Sequence, residues 1–321
     1  MKYSISLAAL ASLAAAKGCG LRSFDNLVTF GDSYTDEGRL GYFFGGNGAP
    51  PAGELLPPSN ATASGGYVWP RIIAQNTGAT SFNYAVSGAT CSDDIVERYL
   101  EGIGRNFPSV KEYQVPAFEA DTETELYGEV EADNTVYALW IGTNDLGGDG
   151  AMLTNRQVEG ATLGDFIDCS FGVFDSVYAA GGRHFVLMNT APLERSPLYQ
   201  TPEEGGLVDS QFWGDKSEYD AELMKDKMRQ YTTAVNGMWE YGVPFHLQLK
   251  ARWPGASFTI FDIHSLFSDV LDNPTEYLDE PADAEGYYRH CNVDGGDCVD
   301  SEEVMSSFFW FDELHPSERA G

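Results

Sequence analysis

The chain of 321 residues carries a formal net charge of −30, with 43% hydrophobic and 21% charged residues. That length suffices for one large domain with a substantial core, or for two, and the composition is globular rather than disordered. So strong a negative charge repels nucleic acids, anionic membrane surfaces and polyuronates at long range, and leaves neutral substrates open.

At the N-terminus, Met1-Lys2-Tyr3 brings one positive charge. The run from residue 4 to 16 is apolar or small, with Ser4, Ser6 and Ser12 its only polar members. This run is too short to span a bilayer, and Ala14-Ala15-Ala16 offers small residues for cleavage. Residues 1–16 therefore read as a secretory signal peptide, and the mature protein as secreted and soluble, without a membrane span.

The apolar residues Leu27-Val28-Thr29-Phe30 read as a buried strand. The run breaks at Gly31-Asp32-Ser33 and continues into polar residues suited to starting a helix. A serine at such a corner has its hydroxyl at the carboxyl edge of a sheet and its own N–H freed by the turn, a place for a nucleophile. Taken alone, Ser33 reads better as a helix cap than as a nucleophile, and only the motifs downstream change that.

Further apolar runs follow at 81–86, 134–141, 183–190 and 256–263, with helical segments at 110–120, 163–180 and 217–241. In the last helix Met224, Met228, Tyr231, Val235 and Met238 step by four and three, which predicts a core-facing stripe. Strands alternating with helices predict a parallel sheet covered on both faces, an α/β fold. Ligands of such sheets bind beyond the carboxyl ends of the strands. Polar groups do follow the strands: Ser33 the first, Ser87-Gly88 the second, Gly142-Thr143-Asn144-Asp145 the third and His264 the fifth.

Residues 41–66 are rich in Gly and Pro and read as a long surface loop, with Asn60-Ala61-Thr62 an acceptor for N-glycosylation. Residues 279–303 are crowded with carboxylates, without the spacing of a calcium loop, and read as a solvated insertion able to form a rim or lid. Of five cysteines, Cys291 and Cys298 bracket a turn-rich loop and are expected to pair. Cys91 with Cys169 is the weaker second pairing, which leaves Cys19 over. No CxxC or HExxH occurs, so a structural zinc or a metalloprotease has no support. Val86-Ser87-Gly88 does not complete Gly-x-Ser-x-Gly, so the nucleophile elbow of ordinary α/β-hydrolases has no support; Gly45-Gly46-Asn47-Gly48 follows no strand, which argues against a nucleotide cradle.

Near the end stands Phe311-Asp312-Glu313-Leu314-His315-Pro316-Ser317. Asp312 lies three residues before His315, within reach of its Nδ1–H, and Pro316 suits the first turn of a helix. With Ser33 these supply the nucleophile, base and orienter of acyl transfer. The Ser33 N–H, the Gly88 N–H and the Asn144 amide are available as oxyanion donors. Asp32 and Asp145 are expected to shape their turns by bonding backbone N–H groups. His264 is the competing base; His184 and His246 read as structural, and His290 sits in the acidic insertion.

The order Gly31-Asp32-Ser33, Gly88, Gly142-x-Asn144-Asp145 and Asp312-x-x-His315 resembles the GDSL, or SGNH, hydrolase superfamily. Phe30-Gly31-Asp32-Ser33-Tyr34-Thr35-Asp36-Glu37-Gly38-Arg39-Leu40 with Asn83-Tyr84-Ala85-Val86-Ser87-Gly88-Ala89 looks most like fungal carbohydrate esterase family 16. The resemblance implies a three-layer α/β/α flavodoxin-like fold over residues 17–321 and deacetylation of xylo-oligosaccharides or similar sugars. By position it makes Ser33 the nucleophile, Gly88 and Asn144 the completion of the oxyanion hole, and Asp312 and His315 the rest of the triad. Tyr34 replaces the leucine of the superfamily's name. The chain stops at Gly321, where a closing helix is expected after His315-Pro316.

The expected function is thus a serine esterase acting on small, neutral acetylated saccharides without metal or organic cofactor; the oligomeric state is left open. Two alternatives stand beside it. One is a lipase or phospholipase-like esterase on the same scaffold. The other is a non-catalytic glycan-binding protein, for which Tyr67, Trp69 and Phe308-Phe309-Trp310-Phe311 offer rings to stack on sugars.

Overall fold

The computed structural model describes residues 23–45 and 48–321. The expected signal peptide, 1–16, and Cys19 lie outside the described residues. Along the chain, β1 (Asn26–Gly31) leads through α1 (Arg39–Phe44) and α2 (Trp69–Thr77) to β2 (Thr80–Asn83). A small hairpin of β3 (Tyr99–Leu100) and β4 (Arg105–Asn106) precedes α3 (Val115–Thr122). The chain then alternates through β5 (Thr135–Trp140), α4 (Leu163–Ala179), β6 (His184–Met188), α5 (Ala221–Pro244), β7 (Ser257–Phe261) and α6 (Ile263–Asp272). The last part holds α7 (Pro274–Tyr277), β8 (Asp283–Tyr287), β9 (Arg289–His290), β10 (Val299–Asp300) and β11 (Phe308–Trp310).

The main sheet has the order β2-β1-β5-β6-β7, and every pairing in it is parallel. Counted among these five strands the order is 2-1-3-4-5, the flavodoxin-like winding, as expected. β1 and β5 are buried along their whole length because helices cover both faces. Phe30 and Tyr137 point to one face, where their rings meet Phe118 of α3 at 5.5 and 5.9 Å. Trp140, of opposite parity to Tyr137, points to the other and meets Phe267 of α6 at 5.9 Å. The stripe on α5 packs as predicted: Met228 and Val235 are fully buried, with Met224, Tyr231 and Met238 against the same core.

The winding reverses between β1 and β5, and a crevice at the carboxyl end of a parallel sheet opens at such a switch point. The segments after β1 and β5 carry Ser33 and Asn144, so the topology itself brings these two distant stretches together.

Some local expectations change. The segment 110–120 opens on a wide turn, Val110–Gln114, before α3; Pro116 has no N–H to return to the preceding turn. Residues 279–303 are more than a solvated insertion: β8 runs parallel to β11, pairing Asp283 with Phe308 and Tyr287 with Trp310. β9 and β10 form an antiparallel hairpin whose loop is closed by the Cys291–Cys298 disulfide. Cys91 and Cys169 are joined as well, tying the segment after β2 to α4. Trp69 and the four aromatics Phe308, Phe309, Trp310 and Phe311 are buried, so their rings pack in the protein and are not a sugar platform.

Candidate active site

The corner after β1 is fixed from behind. The Gly31 N–H donates to Gln114 Oε1 at 2.9 Å and its carbonyl accepts from Gln114 Nε2 at 2.7 Å, so one buried amide replaces a strand partner. A Cβ on Gly31 would lie 2.3 Å from the Trp140 carbonyl oxygen, and only glycine lets β1 and β5 approach so closely here. Asp32 bonds its own turn as expected, accepting from the Tyr34 N–H at 3.1 Å. The expected helix does not start at Ser33. A tight turn follows, with Thr35 and Asp36 donating to the Asp32 carbonyl at 3.0 and 2.9 Å, and α1 begins only at Arg39. The reason is Asp36, whose carboxylate accepts from the N–H groups of Gly38, Arg39 and Leu40 and so starts the helix three residues on.

The histidine arrives on a loop that doubles back along β11. Phe311 donates to the His315 carbonyl at 2.7 Å and Ser317 to the Phe309 carbonyl at 2.8 Å. Trp310 and Pro316 form an antiparallel bridge. No helix begins at Pro316, contrary to the expectation, because the backbone donors around it are committed to the strand. Within this loop the Asp312 carboxylate accepts from the backbone N–H of Leu314 at 2.9 Å and of His315 at 2.7 Å. Both of its oxygens lie 2.9 Å from His315 Nδ1. Across the crevice, His315 Nε2 stands 2.7 Å from Ser33 Oγ. The hydroxyl donates to the neutral ring, Nδ1–H donates to the carboxylate, and the three side chains form one chain of bonds.

Neighbours hold the imidazole. Tyr34, which departs from the family wording, donates its hydroxyl to the Leu314 carbonyl at 2.8 Å and sets its ring edge-on to His315 at 5.7 Å. Phe212 covers the ring at 5.1 Å. Glu313, next to the triad, accepts from Ser210 Oγ at 2.9 Å and so ties the histidine loop to the segment that carries Phe212. His264, the competing base, follows β7 at the edge of the sheet, three strands from β1. Its N–H bonds Asn189 Oδ1 at 2.9 Å.

Burial by itself lowers the pKa of His315, yet the charge and hydrogen bond of Asp312, helped by Asp32 and Glu313, outweigh it and leave the ring above its ordinary value. Burial raises Asp32 to about 6 and Asp145 to about 7. Asp145 accepts from the Cys91 N–H at 2.8 Å, and one oxygen of each carboxyl is buried without a partner. Among the described residues no group of three or more His, Cys, Asp or Glu side chains is arranged to hold a metal ion.

The candidate oxyanion donors meet at the same edge. Ala89 donates to the Val86 carbonyl at 3.0 Å, closing a turn in which Gly88 has φ 82°. That left-handed backbone is one a glycine adopts without strain. Asp36 pins the turn by accepting from the Ser87 N–H and hydroxyl at 2.8 and 2.9 Å, which links it to the Ser33 loop. Asn144 Nδ2 donates to the Ala89 carbonyl at 2.9 Å, so the amide lies beside this turn. Sequence reasoning missed Gln114, Asp36 and Phe212. Gln114 and Phe212 act across the fold, as does the bond of Asp36 to the Ser87 turn, and no local spacing announces these contacts.

Replacing Asn144 by Ala is expected to lower kcat about a hundredfold or more with a smaller effect on KM. Saturation kinetics of N144A on p-nitrophenyl acetate test this, and an unchanged kcat contradicts the assignment.

A family model described as GDSL-like lipase/acylhydrolase matches residues 27–320. The chain is 48% identical over 296 residues to an acetylesterase of Hypocrea jecorina, covering 92% of this chain and 84% of that protein. It is 30% identical over 323 residues to an acetylesterase of Thermothelomyces thermophilus, covering 97% of this chain and 90% of that one.

Proposed function

Because the chain belongs to the GDSL-like lipase/acylhydrolase family and is a carboxylic ester hydrolase, we propose that it is a secreted acetylesterase. Its substrates are small, neutral acetylated saccharides such as xylo-oligosaccharides, and the reaction passes through an acetyl-enzyme. The observation that carries this reading is the chain of bonds from Ser33 Oγ through His315 to Asp312, with 2.7 Å between Oγ and Nε2. The 48% identity to an acetylesterase supports the acyl group removed.

Ser33 Oγ attacks the acetyl carbonyl while His315 Nε2 takes its proton. Asp312 holds the ring through Nδ1–H and stabilises the imidazolium. The N–H groups of Ser33 and Gly88 and the Asn144 amide bind the developing oxyanion. The tetrahedral adduct collapses, the C–O bond to the sugar breaks, and His315 returns the proton to the departing alcohol. Water then attacks acetyl-Ser33 with His315 as base, and acetate leaves. At neutral pH acetate is an anion, which a chain of net charge −30 repels as it departs.

Secretion is supported by the signal-like residues 1–16, by two disulfides and by the exposed Asn60 of Asn60-Ala61-Thr62, read as a glycosylation site. No described helix is long and apolar enough to cross a membrane. Residues 17–321 are read as one catalytic domain, with neither nucleic acid nor membrane as partner.

A panel of p-nitrophenyl acetate, octanoate and palmitate tests the acyl preference. Turnover is expected to fall steeply with chain length. Equal or faster hydrolysis of the long esters supports the lipase-like alternative instead, and oligosaccharide binding without hydrolysis of any ester supports a glycan-binding role.

A further inference from the structure

The reaction scheme leaves Arg98 unused, yet its guanidinium stands behind two of the three oxyanion donors. A single nitrogen, Nη1, donates to the Gly88 carbonyl at 3.0 Å and to Asn144 Oδ1 at 2.6 Å. Nη2 faces Asp149 Oδ2 at 3.5 Å, and the guanidinium lies over the Phe107 ring, 5.0 Å from its centroid. The small β3–β4 hairpin delivers both side chains. Phe107 donates its N–H to the Arg98 carbonyl at 2.9 Å, so the two residues face each other at the base of the hairpin. Phe107 also closes over the turn, since a Cβ on Gly88 would lie 2.2 Å from its ring.

The chemistry of the contact says what Arg98 does. The two ends of an asparagine amide have nearly the same shape, and only their partners decide which way it faces. A guanidinium can only donate, so it takes Oδ1. The Ala89 carbonyl can only accept, so it takes one N–H of Nδ2, at 2.9 Å. One N–H of the amide is left over, and it is the one the mechanism needs. A charged donor on Oδ1 also draws electron density from the amide and strengthens that remaining N–H as a donor. The second bond, to the Gly88 carbonyl, steadies the turn that presents the Gly88 N–H.

The geometry points to Arg98 as a positioning residue of the oxyanion site, one that sets the rotation of the Asn144 amide and holds the Gly88 turn without touching substrate. This rests on the reading of Gly88 and Asn144 as oxyanion donors to a Ser33-bound intermediate. It predicts a defect in kcat rather than KM, because an oxyanion exists only after attack. It also predicts that most of the defect disappears when Asn144 is already gone, since residues acting through one another are not additive.

The test is a double-mutant cycle on p-nitrophenyl acetate with wild type, R98M, N144A and R98M/N144A. R98K runs beside them, and melting temperatures are measured for all. R98M is expected to lower kcat about tenfold or more with KM within about threefold, R98K to recover part of the loss, and the same Arg98→Met change to cost less than about threefold in the N144A background. Equal losses with and without Asn144, or a loss in KM alone, overturn the proposal and leave Arg98 a hairpin anchor. If R98M does not fold, R98Q takes its place in the cycle; its amide keeps a donor, so a smaller loss in kcat is expected than for R98M, and equal losses with and without Asn144 still overturn the proposal. A slow N144A beside a wild-type-like R98M overturns the role of Arg98 alone. An N144A enzyme with wild-type kcat overturns the oxyanion reading beneath it, and the proposal with it.

Discussion

Ser33→Ala is expected to lower kcat on p-nitrophenyl acetate by about 10⁴-fold or more, leaving a folded protein. The hydroxyl is the only group on this side chain able to form the acyl bond, and it stands 2.7 Å from the ring nitrogen proposed to remove its proton. Stability should change little. The serine is buried, but the substitution deletes one hydroxyl and leaves one imidazole nitrogen unpaired, a loss of about 1–2 kcal/mol at most. His315→Ala should cost about as much activity, and the double variant little more than either single one, because nucleophile and base act as a unit. Saturation kinetics and melting curves of the three variants give the answer. An S33A enzyme within tenfold of wild type removes the covalent mechanism.

Asp312→Asn should cost kcat about 10³- to 10⁴-fold. The carboxylate does two jobs. It accepts the Nδ1–H of His315, which leaves Nε2 free to accept from Ser33, and it organises the loop by accepting from the N–H groups of Leu314 and His315. Asparagine keeps an oxygen for the loop but can turn an NH₂ toward Nδ1, which favours the tautomer whose Nε2 already holds a proton. The pH dependence separates this from simple misfolding. In the proposed mechanism the active ring is the neutral one, and Asp312 outweighs burial to hold its pKa above the ordinary value of 6.5. The acid limb of kcat/KM for the wild type is therefore expected above pH 6.5. With the charge removed, burial prevails, the pKa falls, and the limb of D312N moves to lower pH. A limb that stays in place contradicts the coupling. The same raised pKa adds to folding stability below pH 6.5, an increment lost as pH rises through the folded-state value.

The four motif blocks were legible because each is short and its local chemistry is unusual: a serine at a strand end, a lone glycine after a second strand, an asparagine after a third, and Asp-x-x-His. The fold brings Ser33, Asp312 and His315 into one chain of bonds and sets Gly88 beside Asn144. Local readings failed where the backbone had a better partner elsewhere. The polar stretch after Ser33 looks like a helix start, but Asp36 postpones the helix to Arg39. Pro316 looks like a first-turn proline, yet its neighbours bond back to β11.

The alternation of strands and helices, the apolar stripe of α5 and the residue types at the strand ends can all be read from the chain before it folds. These follow from periodicity and from the side chains a turn tolerates, both properties of a few neighbouring residues. That Gln114 clamps Gly31, that Tyr34 tethers the histidine loop and that Arg98 reaches Asn144 emerges from the folded chain alone. Distance along the chain is the cause. These contacts join residues 83, 280 and 46 positions apart, and such pairs meet only once the sheet has chosen its strand order.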